Sequence, residues 1–262
     1  MTLGYQELVR QNWGFLSSEE QHAIAQARVL LVGCGLGSNI AVLAARTGFS
    51  RFTIADGDVV ESSNLNRQAF RVEHLGRNKA EVSESLIREI NPDAQVRAIP
   101  RFIQASDATD LVADSDVVVN MVDPGPALNA LVEAAQSQGK ITLFPMNVGF
   151  GGLVLAFGPD SPTLEELVGP DVGQNLFVDI VMKLMPSLPS YLWQYASVAQ
   201  RIQLEGVSPP QLGVASSLTT SLVVQAMVKV ARGSEIPLVP AFIALDSREP
   251  SECLWPVNAG QS

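Results

Sequence analysis

The stretch ARVLLVGCGLGSNIAVLAARTG, residues 27–48, decides the fold class of this chain. Its first seven residues form an apolar run that ends in glycine, which predicts a buried strand of a parallel sheet. Small and apolar residues then recur at helical spacing over 38–48, and Gly48 is a residue on which helices commonly end. The glycine-rich turn GCGLGS (33–38) joins the two elements. This order predicts the first strand and helix of a sheet built from crossover units.

The alternation of strands and helices continues along the next hundred residues. We predict further strands at 51–56, 95–103, 116–123 and 140–148, and helices at 78–92 and 126–139. Alternating elements of this kind form right-handed crossovers, so we expect a largely parallel sheet with helices on both faces.

Past Gly149 the pattern changes. A glycine-rich antiparallel strand is predicted at 149–160, a long apolar helix at 213–233 and a last strand at 240–249. The expected fold is a doubly wound, Rossmann-like α/β domain whose mostly parallel sheet has an antiparallel C-terminal extension. We divide it into an N-terminal helical arm, a nucleotide-binding domain, and a C-terminal extension packed on the same domain: 1–26, 27–158 and 159–262.

The composition argues against a membrane protein, a secreted protein and a protein with a broad nucleic-acid surface. At 262 residues and 47% hydrophobic content the chain can bury a full core. No apolar run approaches the roughly 18 residues of a membrane span, and the N-terminus has polar residues where a signal peptide needs an apolar core. We therefore expect a cytoplasmic protein. Seventeen basic against 27 acidic residues argue against a broad nucleic-acid surface.

The glycine turn and an acidic residue after the second strand indicate a nucleotide site. Gly33 and Gly35 match the start of G-x-G-x-x-G, whereas the third glycine is Gly37 and position 38 is serine. Such a turn lets a phosphate approach the backbone N–H groups that begin a helix. Asp56 follows Gly33 by 23 residues, where an acid can accept hydrogen bonds from ribose hydroxyls. These residues do not choose between NAD and ATP.

Two further stretches resemble a known family. DGDVVESSNLNRQ (56–68), followed by LGRNKAE (75–81), is similar to the ThiF/MoeB/HesA family, the bacterial relatives of ubiquitin-activating enzymes. The resemblance spans residues 10 to about 155. It implies an adenylyltransferase that uses ATP and Mg²⁺ to activate a carboxylate as an acyl-adenylate. It also implies a partner, either a ubiquitin-like protein or a peptide with a C-terminal carboxylate, and a homodimer.

The resemblance assigns roles to individual residues. Asp56 would bind ribose, Asn66 and Arg67 would bind the phosphates, Lys79 would reach the α-phosphate region, and Asp123 would hold Mg²⁺. It places further residues in the nucleotide site: Gly33, Gly35, Gly37, Asp58, Asn64 and Gln68. Together with Arg10, the residues Arg67, Lys79 and Asp123 form the expected catalytic set.

Arg10 lines up with the family's N-terminal arginine, which enters the active site of the neighbouring subunit. The chain also departs from the family. Asn120 stands where many members carry an acid before the metal aspartate, and the zinc-binding C-x-x-C pairs are absent. Of the two cysteines, Cys34 is expected to be a small apolar filler, and Cys253 has no motif around it.

Each assigned residue also has a plainer interpretation. Lys79 could be a solvated lysine in the first turn of a helix, and Arg10 could pair with Glu7 on the surface. Asp123 could cap the helix that begins near Pro126, since aspartate is a good N-cap.

Two other functions stay open on the sequence. An NAD(P)-dependent oxidoreductase would share the glycine turn and Asp56, but would leave Arg67 and Lys79 unexplained. A non-catalytic scaffold of the same fold would serve only to bind a partner.

Overall fold

The structure, a computed structural model, describes residues 4–169, 176–195, 198 and 210–248. Seven strands form one sheet in the order β3-β2-β1-β4-β5-β6-β7. The first five strands in this order are parallel, and β6 and β7 are antiparallel to their neighbours. The strands are β1 (Arg28–Val32), β2 (Arg51–Ala55), β3 (Gln95–Ile99), β4 (Val117–Asn120), β5 (Thr142–Val148), β6 (Gly151–Phe157) and β7 (Phe242–Asp246). The predicted fold class is confirmed.

Helices cover both faces of this sheet. They are α1 (Tyr5–Leu8), α2 (Ser18–Gln26), α3 (Gly35–Thr47), α4 (Lys79–Ile90), α5 (Ala108–Ala113), α6 (Pro126–Ser137), α7 (Leu164–Val168), α8 (Leu176–Leu184) and α9 (Gly213–Ala231). Helix α5 was not predicted, because its six residues are too few to show a helical repeat.

The side chains of β1 show why the strand has no polar face. Val29 and Leu31 pack with residues of α3, α4 and α9, whereas Leu30 and Val32 pack with residues of α5 and α6. Successive side chains of a strand point to opposite faces, so a strand between two helical layers must be apolar throughout.

Two predicted boundaries shift for identifiable reasons. Strand β3 ends at Ile99 rather than at 103, because Pro100 follows it and has no N–H to donate to the sheet. Helix α3 begins at Gly35 rather than at 38, so two of the loop glycines lie in its first turn. The sequence pattern treats glycine as a turn residue, but here it also serves close packing: a Cβ at Gly37 would lie 2.8 Å from the Met121 side chain.

Helix α9 is the long apolar helix predicted at 213–233. It contacts β5, β6 and α3 and buries Val223, Val224 and Met227. Among the described residues it is the one helix with the length and composition to cross a membrane, with a mean hydropathy of 1.4. Its packing against the sheet accounts for that composition.

The segment LMPSLPSYLWQY (184–195) contributes to the core. Tyr191 and Leu192 are buried in a cluster with side chains of β5 and β6. Within this segment, Ser190–Tyr195 forms a 3₁₀ helix. The division into three regions stays a prediction.

Candidate nucleotide-binding site

The order of the strands creates a crevice beside β1. The chain moves from β1 to β2 and β3 on one side, then returns to β4 on the other. Ligands of open α/β sheets bind at the carboxyl ends of the strands where the order reverses in this way. Gly33 follows β1 and Asp56 follows β2, so both lie at this edge.

The glycine turn is shaped by contact with the loop after β4. Gly33 has a φ of +94°, and a Cβ there would lie 2.6 Å from the carbonyl oxygen of Met121. Any other residue would meet backbone, so glycine is required on both counts. Helix α3 then begins with no side-chain cap and no acidic residue in its first turn. Its first N–H groups are thus available to an anion.

Asp56 lies where the sequence predicts and is 8% exposed. One carboxylate oxygen accepts a hydrogen bond from the Cys34 N–H at 2.6 Å, and the other accepts from the Asp58 N–H at 2.7 Å. Burial raises the pKa of Asp56, and these two bonds oppose the rise. A carboxylate can accept about four hydrogen bonds, so both oxygens keep capacity for ribose hydroxyls.

Lys79 is not the solvated lysine of the plainer interpretation. It is 8% exposed, and its ammonium group lies 3.0 Å from the carboxylate of Asp58. It opens helix α4 directly after Asn78, whose side-chain oxygen caps the helix by accepting from Ala80 and Glu81. The Asn78 amide group also donates to the carbonyls of Asp56 and Asp58. The cap therefore ties Lys79 to the turn that carries Asp56.

The SNLNRQ block (63–68) forms a compact turn beside α3. Asn64 is buried, its side-chain oxygen accepts from the Glu61 N–H at 3.1 Å, and its carbonyl accepts from Arg67 and Gln68. Asn64 thus shapes the turn. Asn66 is exposed, and Arg67 is half-buried. The side-chain oxygen of Gln68 is buried and has no partner.

Residues from α3 and from the C-terminal half hold this turn in place, and the sequence analysis did not identify them. Ser216 of α9 and Asn39 of α3 both donate to the carbonyl of Arg67, at 2.9 and 2.6 Å. Gln211 accepts from the Arg67 side chain at 3.1 Å. Ser216 and Gln211 lie about 145 residues from Arg67 along the chain, and neither belongs to a motif. A serine in the first turn of a helix or a glutamine in a loop carries no sequence signal for a contact with a residue so far away along the chain.

Ser38 explains the departure from the glycine motif. Its hydroxyl donates to the carbonyl of Gly35 at 2.9 Å and accepts from the N–H of Ala69 at 3.1 Å. It therefore joins the start of α3 to the end of the SNLNRQ block, a contact that glycine could not make.

The loop after β4 carries the candidate metal residue. Asp123 is exposed, and Gly125 precedes α6 without any side-chain cap, so Asp123 does not cap this helix. Asn120 is fully buried, donates to the Leu128 carbonyl at 3.0 Å and accepts from the Val122 N–H. It holds the loop and is not available to a metal.

The residues present fit Mg²⁺ only together with a nucleotide. The described residues contain no cluster of three or more His, Cys, Asp or Glu side chains that could hold a metal ion alone. Magnesium commonly binds through one or two carboxylates and the phosphates of its substrate, and Asp123 offers one such carboxylate.

Arg10 lies apart from the other predicted residues. It is exposed and pairs with Glu7 at 3.3 Å. It lines a cavity of about 800 Å³ together with Arg51 and Gln95, the first residues of β2 and β3. Asp56 follows the other end of β2, so it lies about 16 Å from Arg51 along the strand direction. Within one subunit the structure does not bring Arg10 to the site.

Cys34 is not placed for chemistry. The Cys34 side chain is fully buried, and burial raises the pKa of its thiol well above the ordinary value. A buried neutral thiol is the expected apolar filler. Cys253 lies outside the described residues.

Phe102 is another residue that the sequence analysis missed. Its ring is 62% exposed and packs against Gly57, the residue after Asp56, where a Cβ would lie 2.6 Å from the ring. An exposed aromatic face beside a ribose-binding acid offers a surface on which a base can stack.

Curated relatives match somewhat more than half of the chain. The SAMP-activating enzyme E1 of Haloferax volcanii is 32% identical over 146 residues, which are 55% of this chain and 54% of that protein. The sulfur carrier protein ThiS adenylyltransferase of Escherichia coli is 30% identical over 146 residues, 55% of this chain and 58% of that protein. The chain thus spans somewhat more than half the length of these relatives.

Solved structures match more of the fold at lower identity. Escherichia coli MccB, solved with ATP, has a TM-score of 0.65 and is 22% identical, with 88% of this chain and 64% of that chain covered. Escherichia coli tRNA N6-threonylcarbamoyladenosine dehydratase, TcdA, has a TM-score of 0.62 at 17% identity, with 87% and 95% covered. At these identities the likeness establishes the fold alone. A model of the ThiF family, however, matches residues 6–256, nearly the whole sequence. The chain belongs to the ThiF family.

Proposed function

We propose that this protein is an ATP-dependent adenylyltransferase that activates the C-terminal carboxylate of a ubiquitin-like protein or peptide. One observation carries the proposal: the loops that carry Asp56 and Arg67 and the first turn of α4 with Lys79 converge beside the uncapped N-terminus of α3. This set combines a ribose acceptor, two cations and free backbone N–H groups. It suits a nucleoside triphosphate, which carries more negative phosphate charge than the pyrophosphate of NAD.

The proposed reaction needs no nucleophile from the protein. An oxygen of the partner's carboxylate attacks the α-phosphorus of ATP, the bond between the α- and β-phosphates breaks, and pyrophosphate leaves with the bonding electron pair. The products are an acyl-adenylate and pyrophosphate. The task of the protein is to orient the two reactants and stabilise negative charge on the phosphate oxygens.

The described side chains suit these tasks. The N–H groups of α3 and the guanidinium of Arg67 face phosphate, and Asp56 fixes the ribose. Lys79 is paired with Asp58, an exposed carboxylate, and can exchange this partner for a phosphate oxygen, which an ammonium group on a flexible stem does readily. When bound beside Asp123, Mg²⁺ would neutralise phosphate charge. The expected cytoplasmic location belongs to this proposal.

The class of partner is supported by the curated relatives. One is named for activating SAMP and another for adenylylating the sulfur carrier protein ThiS. The second name describes a protein substrate, so we propose a polypeptide carboxylate for this chain as well.

Exchange of labelled pyrophosphate into ATP tests the function. The protein is mixed with ATP, Mg²⁺ and each of a panel of small proteins and peptides with free C-terminal carboxylates. We expect exchange with at least one of them, and no exchange when its carboxylate is amidated. Calorimetry with ATP and with NAD is run beside it. Tight binding of NAD without binding of ATP would overturn the proposal in favour of an oxidoreductase, and binding of neither would favour a scaffold.

A further inference from the structure

Three distant segments meet at the side chain of Gln211, just before α9. The side-chain oxygen of Gln211 accepts a hydrogen bond from Nε of Arg67 at 3.1 Å and another from the amide of Asn147 at 3.1 Å. Its main-chain carbonyl accepts from the amide of Asn66 at 3.2 Å. Arg67 lies in the loop after β2 and Asn147 near the end of β5, so Gln211 links both to the C-terminal half of the chain.

These contacts determine which edge of the Arg67 guanidinium stays available. Nε donates to Gln211, and one terminal nitrogen donates to the Ser63 carbonyl at 2.7 Å and to the Asn66 side chain at 2.8 Å. In the described part of the chain the second terminal nitrogen has no hydrogen-bond partner. A guanidinium is planar with five N–H donors in a fixed fork, so fixing two nitrogens also fixes the direction of the third.

Gln211 is the one described partner of the guanidinium from outside its own turn. The main chain of Arg67 is held separately, by Asn39 and Ser216, so it does not depend on Gln211. Ser63 and Asn66 move together with the turn. Loss of the Gln211 oxygen would therefore leave the guanidinium held through one terminal nitrogen alone, so that its direction is less restricted, while the turn stays in place.

The chemistry of an amide suits this task. A carboxylate at position 211 would also hold Arg67, but its charge would compete with a phosphate for the guanidinium and repel that phosphate. The amide oxygen fixes the side chain and leaves its positive charge uncompensated. Gln211 itself is half-buried and is held in turn by Asn147 on β5.

We propose that Gln211 is a positioning residue for Arg67. By accepting from Nε it aims the free nitrogen of the guanidinium at the phosphates of ATP, without touching the nucleotide itself. This inference rests on the proposed function, because it takes ATP as the ligand.

The substitution Gln211→Met tests it, since methionine has a similar length but no strong acceptor. Affinities for ATP and for adenosine are measured by calorimetry with the full chain. We expect the affinity for ATP to fall about 10- to 100-fold, the range for loss of a hydrogen bond to a charged group. We expect the affinity for adenosine to change by less than about twofold, because adenosine has no phosphate for Arg67 to bind. A general loss of structure would lower both affinities.

A double-substitution cycle shows whether Gln211 affects ATP affinity through Arg67 or independently of it. If Gln211 acts through Arg67, Gln211→Met should cause no further loss of ATP affinity in an Arg67→Ala protein. The matched control is Gln138→Met, because Gln138 is also half-buried and its amide bonds the Thr109 carbonyl, away from this site. We expect wild-type affinity for both ligands from this control.

Gln211→Glu covers the case in which the methionine variant fails to fold. It keeps an acceptor for Arg67 and adds a negative charge, so we expect weaker binding of ATP with binding of adenosine retained. Wild-type ATP affinity in Gln211→Met, or in Gln211→Glu if the methionine variant does not fold, would overturn the inference and leave the proposed function intact. Additive losses of ATP affinity in the double-substitution cycle would also overturn the inference. A wild-type protein that does not bind ATP would overturn the proposed function, and the inference with it.

Discussion

The buried carboxylate of Asp56 makes binding of the ribose sensitive to pH. Its pKa is raised by burial above the ordinary value of 3.8. In the proposed site the ionised form accepts hydrogen bonds from the ribose hydroxyls, so the affinity for adenosine should fall as the pH drops through this raised pKa. We expect adenosine to bind more weakly as the pH is lowered from neutral toward the raised pKa, and this dependence to vanish in Asp56→Asn. Adenosine is the suitable probe because it has no phosphate that titrates in this range.

The stability of the fold should respond to Asp56 with the opposite sign. A folded-state pKa above the unfolded value means that the folded state binds the proton more tightly. The contribution of Asp56 to stability is therefore full below pH 3.8 and is lost as the pH rises through the raised pKa. Urea denaturation of the wild type and Asp56→Asn should show it. Equal pH dependence in the two proteins would contradict the assigned pKa.

The charged side chains, and not the thiol, should determine the rate of adenylate formation. We expect Arg67→Ala and Lys79→Ala each to lower the rate of pyrophosphate exchange by about 10²–10³, the usual effect of removing one group that stabilises transition-state charge. Cys34→Ala should leave exchange near the wild-type rate, because the thiol is buried and neutral. Loss of exchange in a folded Cys34→Ala protein would show that the reaction needs a thiol.

At the level of single residues, the sequence predicted the position of those residues whose role depends on the neighbouring strand or turn. Gly33 and Asp56 each stand beside the strand that positions them, so their spacing predicted their placement, whereas Lys79 was assigned through the family resemblance. Gln211 and Ser216 contact Arg67 across about 145 residues. Such contacts are produced by the packing of α9 on the sheet, which no local pattern of polar residues encodes.

Helix α4 shows how an element places a functional side chain. Asn78 caps the helix through two N–H groups and bonds the carbonyls of Asp56 and Asp58. We expect Asn78→Ala to lower the free energy of unfolding by about 1 kcal/mol, with about 2 as the upper range for a lost cap. It should also weaken binding of ATP, because Lys79 follows the cap directly.

A second cap provides the control for this prediction. Thr163 caps α7 by accepting from the Glu166 N–H at 3.1 Å, beyond the far end of β6. Thr163→Ala should cost a similar stability in chemical denaturation but leave the dissociation constant for ATP unchanged. If both variants bind ATP like the wild type, the cap of α4 has a structural role only.

The elements themselves were predictable because strands and helices here alternate with distinct periods. All seven strands fall within predicted segments. The errors are at the ends, as at Ile99, and in short elements such as α5. A helix of six residues has less than two turns, so its burial is determined by neighbours such as α6 and not by its own sequence.

For the whole molecule, the open question is how Arg10 could take part in catalysis. It lies at the end of the sheet opposite Asp56, so it cannot serve the site of its own subunit in this arrangement. The same arm exposes two large aromatic side chains: Trp13 is 76% exposed and Phe15 91%. Exposed aromatic residues beside a cavity are typical of a surface that a partner covers. We therefore propose a two-fold homodimer in which Arg10 of each subunit completes the other site, the commonest symmetry of homo-oligomers.

Complementation between two inactive variants tests this shared site. Arg10→Ala and Lys79→Ala proteins are each expected to lose most pyrophosphate exchange, since an arginine supplied by a second subunit can be worth about 10³ or more in rate. In a mixed dimer, one site has both substitutions and the other has neither. Mixing the two proteins should therefore restore activity, up to one intact site per mixed dimer. If subunit exchange is demonstrated with tagged chains and activity still does not return, or if a fully active monomer is found by sedimentation, then Arg10 is the surface residue that its pairing with Glu7 suggests.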